Sequence, residues 1–271
     1  MKKRFLPFLL AFTIALPSYS AFAEEENQTK EPQTNETQAN EATANDTLSL
    51  AAETAVLIDA ASGEILYDKD ADKKMYPASI TKLMTILLAL ENGKLTDEIT
   101  FSHDAVYNIE PGSAHIAILE GETLTLEQVL RAIILRSANE ASNGVAEYVD
   151  GSVEAFAKHM TERAKELGCT NTNFVNANGL FDENHYTTAH DMALIARELL
   201  KHEEYRSMMS ETDYEIPPTN LQTETRYLHG QHQMLNPNSI YYYKDAIGGK
   251  TGYTVEAGNT LVTYAERDGL T

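Results

Sequence analysis

The sequence predicts a mixed α/β fold of the α+β kind. An antiparallel sheet is flanked by helices, and a mainly helical subdomain is inserted between its strands. Three observations carry this. Two strand-like runs at 54–70 enclose the tight turn Ala61-Ser62-Gly63. From Ser79 to about His202, apolar residues recur at helical spacing. Past Ala246 the pattern returns to strands. Strands, then helices, then strands again point to one antiparallel sheet built from both ends of a single domain.

The elements follow in order. Residues 1–23 have a charged start (Lys2, Lys3, Arg4), an apolar stretch from Phe5 to about Leu16, and a small-x-small end, Ala21-Phe22-Ala23. That is the pattern of a secretory signal peptide, so the protein is expected to be exported across the cytoplasmic membrane. Residues 24–47 are rich in Glu, Thr, Asn and Gln, with almost nothing apolar. Such a segment buries too little surface to offset chain entropy and predicts a disordered acidic leader. The folded domain is expected over 48–271. It opens with the 54–70 hairpin. A helix follows from about Ser79 to Glu91, stopped by Asn92-Gly93. Thr125 and Gln128 form a capping-box pattern at the head of a helix that breaks near Ser137. Further helices fit 152–167 and 187–202, the latter with Met192, Ile195 and Leu199 on one face. "AIGGKTGYTV" and "NTLVTYAERDG" form a second hairpin, joined around Glu256-Ala257-Gly258.

The formal net charge of −20 argues against nucleic acid as a partner, since phosphates would be repelled. The lone Cys169 cannot form an internal disulfide. With no activating partner nearby in sequence, it is expected to be a packed thiol.

The stretch "YPASITKLMTILLAL" (76–90) places Lys82 one helical turn after Ser79. Serine is a poor nucleophile until a base takes its proton, and residues three apart on a helix are neighbours. Lys82 can therefore serve that hydroxyl if burial or a nearby cation lowers its pKa. A helix N-terminus would favour an oxyanion at Ser79. The alternative is an N-capping Ser79 beside a solvated Lys82, and a Ser-x-x-Lys match alone is weak. Two further matches strengthen it. Ser137-Ala138-Asn139 lies where one helix ends, and Lys250-Thr251-Gly252 lies on a predicted strand. Ser-x-x-Lys, Ser-x-Asn and Lys-Thr-Gly together mark penicillin-binding proteins and class A β-lactamases. A phosphate loop is excluded at Gly249-Lys250-Thr251, because position 244 is Lys where such a loop needs Gly. The pairs His229/His232 and His185/His190 lack an accompanying acidic or Cys cluster, so surface or capping roles are expected for all four. No metal and no cofactor is called for.

With these motifs in place, the sequence resembles the serine D-alanyl-D-alanine carboxypeptidases, the low-molecular-mass penicillin-binding proteins. The resemblance covers about residues 50–271. It includes the long stretch "ELGCTNTNFVNANGLFDENHYTTAHDMALIARELL" (166–200). It implies a β-lactamase/transpeptidase-like fold acting on the cell-wall side of the membrane. It also implies roles: Ser79 as acylated nucleophile, Lys82 as general base, and Ser137 as proton relay to the leaving amine. Asn139 would hold the substrate backbone and Lys82. Lys250, Thr251 and Gly252 would bind substrate, and the backbone N–H groups of Ser79 and Tyr253 would form the oxyanion hole. The implied partners are the peptidoglycan stem peptide ending in D-Ala-D-Ala and β-lactam antibiotics. Family members usually continue past "AERDGLT" (265–271) with a strand and a closing helix, often followed by a β-rich domain and an amphipathic membrane-associating tail. The catalytic domain is therefore expected to be truncated at its C-terminus, with membrane association only through a tail not present in this chain. A class A β-lactamase would need a Glu-x-x-x-Asn loop beyond Ser137, and Glu166 has Thr170 at the fourth place. A non-catalytic penicillin sensor would need a transmembrane partner region, and only a cleavable signal precedes the domain.

Overall fold

The computed structural model describes residues 49–271. The predicted signal peptide and the predicted leader lie outside the described residues.

The first hairpin forms as expected, with β1 (Ala55–Ile58) antiparallel to β2 (Ile65–Lys69). The opening helix comes in two pieces. Ala78–Thr81 make a 3₁₀ turn, and α1 (Lys82–Asn92) continues from it. Ser79 thus lies inside a tight turn and is not an N-cap. Ala78 sits at φ 49°, a left-handed conformation that breaks a regular helical entry. From Leu83 to Ala89 every residue of α1 is buried. A helix apolar all round belongs at the centre of a core. It packs against α3 (Leu126–Arg136), α4 (Asn139–Asp150), α5 (Val153–Glu166) and α6 (Ala189–Leu199).

The boundaries in this block have local causes. At α3 the Thr125 hydroxyl accepts from the Gln128 N–H while the Gln128 side chain accepts from the Thr125 N–H, completing the predicted capping box. Ser137, at φ 57°, turns the chain left-handed, so α3 ends and α4 starts two residues later. Met192, Ile195 and Leu199 of α6 are buried, as their spacing predicts.

Six short elements had no clear trace in the sequence. They are α2 (His103–Tyr107), the pair β3 (Glu98–Thr100) with β4 (Thr123–Thr125), α7 (Glu203–Met208), and the pair β5 (Asp213–Ile216) with β6 (Arg226–His229). Strands of three or four residues are too short to display a period. Buried ion pairs clip the β5–β6 hairpin to the helical block. Arg226 makes a bidentate pair with Glu122 at 2.6 and 2.8 Å and also reaches the Ala117 carbonyl. Arg131 makes a second with Glu211 at 2.8 and 2.9 Å.

The last hairpin is β7 (Ala246–Thr254) paired with β8 (Gly258–Ala265). The fold class is therefore the expected mixture of helix and strand. Among the described residues the two strand groups do not share a ladder directly: β1–β2 and β7–β8 are separate two-stranded sheets. β1 and β8 line one cleft, with Met75–Pro77 and α6 residues among the rest of its wall. Cys169 is buried, its thiol donates to the Asp191 carbonyl, and burial pushes its pKa up to about 12. It is the packed thiol expected.

Glu122 has no exposed surface. Burial raises the pKa of its carboxyl, but Arg226, the Thr219 hydroxyl and the Leu119 amide outweigh that and hold it below the ordinary value. Arg226→Leu would leave a buried carboxylate unpaired and should cost about 3–5 kcal/mol in urea unfolding. The double change Glu122→Leu/Arg226→Leu should recover most of that loss. A single-variant loss under about 1 kcal/mol would show that the pair is not buried in this way.

Candidate active site

Three separate pieces of chain meet at Lys82. Its Nζ lies 3.0 Å from Ser79 Oγ, within hydrogen-bond reach, and donates to Asn139 Oδ1 at 2.7 Å and to the Asn178 carbonyl at 2.5 Å. Ser79 comes from the 3₁₀ turn, Asn139 from the start of α4, and Asn178 from the loop between α5 and α6. Lys82 has no exposed surface, so the alternative of a solvated charge does not hold. Its pKa lies well below the ordinary lysine value. Burial is the main cause, Lys250 adds to it, and Glu140 opposes it. A neutral amine at this distance from a serine hydroxyl has a lone pair available for that proton.

Lys250 is the second buried amine. It enters from β7, donates to Ser137 Oγ at 3.0 Å and to the Thr251 carbonyl at 2.7 Å, and burial pushes its pKa down to about 7. The left-handed turn at Ser137 aims that hydroxyl at Lys250 and lets α4 begin with Asn139 facing Lys82. Gly252 shows why β7 needs a glycine beside the turn. A Cβ there would lie 2.7 Å from the Ser79 amide nitrogen and 2.4 Å from Thr260 Oγ1. The close approach sets the amides that follow on β7 against the Ser79 turn. Thr260 of β8 also donates to the Pro77 carbonyl at 2.8 Å, tying the hairpin to the entry of that turn.

The residues expected to act on substrate fall in this one place. Ser79 and Asn139 gather at Lys82 and Ser137 at Lys250 through the hydrogen bonds above, the two amines lie close enough to interact, and Thr251, Gly252 and Tyr253 continue along β7. The Tyr253 side chain is exposed. Glu166 is remote in role. It ends α5 and pairs with Arg163 on the surface.

Sequence reasoning missed three contributors. Asn178 supplies a backbone carbonyl to Lys82 from 96 positions away. Glu140 is buried against the loop before β4, where its Oε1 accepts from the Ile116 N–H at 2.7 Å; burial raises its pKa, and its Oε2 has no partner among the described residues. His185, expected at the surface or as a cap, is fully buried and hydrogen-bonded to Thr81 at 2.8 Å. The other three histidines are less deeply placed. His190 pairs with Asp72, His229 pairs with Asp213, and His232 lies beside Thr263 of β8. None of these contacts leaves a local pattern, because each partner lies far along the chain or is a backbone atom.

A family model described as D-alanyl-D-alanine carboxypeptidase, Peptidase_S11, matches residues 37–271. The chain belongs to this family. It is 38% identical over 229 residues to D-alanyl-D-alanine carboxypeptidase DacF of Bacillus subtilis, an alignment covering 82% of this chain and 56% of that protein. It is 34% identical over 228 residues to DacC of Escherichia coli, covering 80% of this chain and 54% of that protein. It thus spans little more than half the length of these two relatives. Among solved structures, a mutant form of Streptomyces K15 DD-transpeptidase superposes with a TM-score of 0.76 at 26% identity, covering 82% of this chain and 88% of that one. D-alanyl-D-alanine carboxypeptidase from Mycobacterium tuberculosis gives 0.73 at 28% identity, covering 81% and 79%. The β-lactamase/transpeptidase-like fold class expected from the motifs is therefore the family's own.

The loop that carries Asn178 is held by a glycine. Gly179 sits at φ 83°, and a Cβ there would lie 2.0 Å from the Ala78 carbonyl oxygen. Gly112 has nearly the same φ, 81°, with nothing within 4 Å of such a Cβ. Gly112→Ala should cost only the left-handed strain, about 1 kcal/mol. Gly179→Ala should add a backbone collision and lower Tm by several degrees more, since about 1 kcal/mol moves Tm by roughly 2–4 °C in a domain of this size. Equal Tm losses in the two variants would show that the loop does not press on the Ser79 turn.

Proposed function

We propose that this protein is a serine-type D-Ala-D-Ala carboxypeptidase. It removes the terminal D-alanine from peptidoglycan stem pentapeptides through an acyl-enzyme on Ser79, and β-lactams acylate the same serine. The observation that carries this is a buried, pKa-depressed Lys82 hydrogen-bonded to Ser79 Oγ, in a chain that belongs to the D-alanyl-D-alanine carboxypeptidase family.

The roles follow from the contacts. Neutral Lys82 accepts the Ser79 hydroxyl proton as Oγ attacks the carbonyl of the penultimate D-alanine. The developing oxyanion is received by the Ser79 and Tyr253 N–H groups. As the C–N bond breaks, the Ser137 hydroxyl gives its proton to the departing amine and is resupplied with the one Lys82 took from Ser79, which leaves Lys82 neutral again; Ser137 is itself held by Lys250. Asn139 keeps Lys82 oriented and can offer its amide N–H to the substrate backbone. Lys250 and Thr251, with Gly252 keeping the strand close, meet the substrate's terminal carboxylate. Water then attacks the acyl-enzyme and frees Ser79. The chemistry calls for no metal. Such a substrate lies outside the cytoplasmic membrane, in line with a cleaved signal peptide at 1–23 and a domain spanning 48–271. No helix among the described residues is long and apolar enough to cross a membrane.

The test is intact-mass measurement of the full chain after penicillin treatment, followed by peptide mapping. One adduct on the peptide containing Ser79 is expected, and none in Ser79→Ala. Lys82→Arg keeps a hydrogen-bond donor at this position but offers no base, because guanidinium does not deprotonate. Its acylation rate should fall by at least about 10²-fold, the usual scale of general-base catalysis. An adduct on Ser137, or near-normal acylation in Lys82→Arg, would overturn the assignment.

A further inference from the structure

His185 has no place in the chemistry above, yet it is a buried imidazole beside the turn that carries it. It is 2% exposed. Its Nδ1 accepts a hydrogen bond from the Val175 N–H at 3.1 Å. That fixes the tautomer: the ring proton is on Nε2, and Nε2–H donates to Thr81 Oγ1 at 2.8 Å. Thr81 immediately precedes Lys82 and lies two residues after Ser79. The segment from Val175 to His185 includes Asn178, whose carbonyl accepts from Lys82. A single imidazole thus bonds both ends of that segment to the Ser79–Lys82 turn, one end through the Val175 amide and the other through its own backbone.

Other contacts press the same segment in place. Thr85 Oγ1 donates to the Ala177 carbonyl at 2.6 Å, and Gly179 lies against the Ala78 carbonyl. These hold the middle of the loop, and Gly179 also lies against the Thr81 hydroxyl, but neither contact is a hydrogen bond to it. Among the described side-chain hydrogen bonds, the imidazole alone reaches the Thr81 hydroxyl.

We propose that His185 is a positioning residue for Lys82. Its neutral imidazole bolts the 175–185 loop to Thr81, so that the Asn178 carbonyl and the Lys82 amine stay in register with Ser79. This rests on the acyl-enzyme reading of the site. The environment favours the neutral ring. Burial pushes its pKa down to about 4, Asp182 opposes that, and Lys82 adds to it. The edge of the Phe174 ring packs on it from the other side, with centroids 5.5 Å apart. An imidazolium would point a second N–H at the Val175 N–H and break the bolt.

The substitutions separate the two bonds. Glutamine can place an amide N–H where Nε2–H sits and still donate to Thr81. Asparagine can imitate only the Nδ1 acceptor. Thr81→Val removes the hydroxyl with little change of shape. Measured as penicillin acylation of the full chain, His185→Asn and Thr81→Val should each lose about 10-fold or more, since a misplacement of about 1 Å can cost roughly 10² in rate. His185→Gln should stay within about 3-fold of wild type. His185→Asn/Thr81→Val should be no worse than the poorer single variant, because both remove one interaction. Thermal unfolding run alongside identifies any variant that fails to fold, and the near-isosteric Thr81→Val carries the test if His185→Asn does.

A second readout does not depend on acylation. The NMR titration of the Lys82 side chain should shift upward in His185→Asn and Thr81→Val, because loosening admits water and burial is the main depressor of its pKa. If wild type forms no adduct, the acyl-enzyme reading fails, and this titration still judges His185. Wild-type-like rates and an unmoved Lys82 titration in both variants would overturn the proposal. So would multiplicative losses in the double variant, or a His185→Gln as slow as His185→Asn.

Discussion

Everything in this fold that bears on the site follows from putting an amine in the core. Lys82 has no exposed surface and lies on a helix whose next seven residues are all buried. A buried ammonium is costly unless paired, so the group shifts toward neutrality and its hydrogens still require acceptors. Asn139 and the Asn178 carbonyl take the two hydrogens of the neutral amine, and Ser79 Oγ, 3.0 Å away, faces its lone pair. Each requires its own piece of backbone to arrive at one point, and the local oddities of the chain are the means. The 3₁₀ turn brings Ser79 over Lys82. The left-handed Ser137 breaks a long helix so that Asn139 starts a new one. Gly179 lets the loop carrying Asn178 lie on the Ala78 carbonyl.

The second amine makes the first more useful. Lys250 is buried close enough to depress Lys82 further. Two like charges in a low-dielectric site disfavour each other's charged form. One amine is thereby biased toward acting as a base, while the other can serve as a cation for an anionic ligand. Their spacing depends on Gly252, which brings β7 within contact of the Ser79 amide. The cleft between β1 and β8 is lined by neither amine.

Much of this was legible in the sequence. Helix periodicity, the Thr125–Gln128 capping box and the Asn92-Gly93 stop mark the helical block because they are local signals. The hairpins at 54–70 and 246–265 follow from strand runs around short turns. The motif residues Ser79, Lys82, Ser137, Asn139 and Lys250 were nameable because their chemistry demands them. What was not legible depends on tertiary contact. Whether two hairpins share a ladder is set by how the chain between them packs, and no residue in either strand encodes it. His185 looks like any of the eight histidines until Thr81, 104 positions away, is seen beside it. Glu140 directly follows Asn139, yet its partner is the backbone amide of Ile116, which no residue pattern announces.

The claim that burial has turned Lys82 into a base is tested most directly by titrating the lysines themselves. With ¹³C at the lysine ε-carbons of the full chain, the Lys82 and Lys250 resonances can be assigned by single substitution and followed with pH. The account predicts that Lys250 titrates near 7 and that Lys82 titrates well below the ordinary lysine value of about 10.4. Two buried lysines that both remain ammonium up to about pH 10, close to that ordinary value, would contradict it.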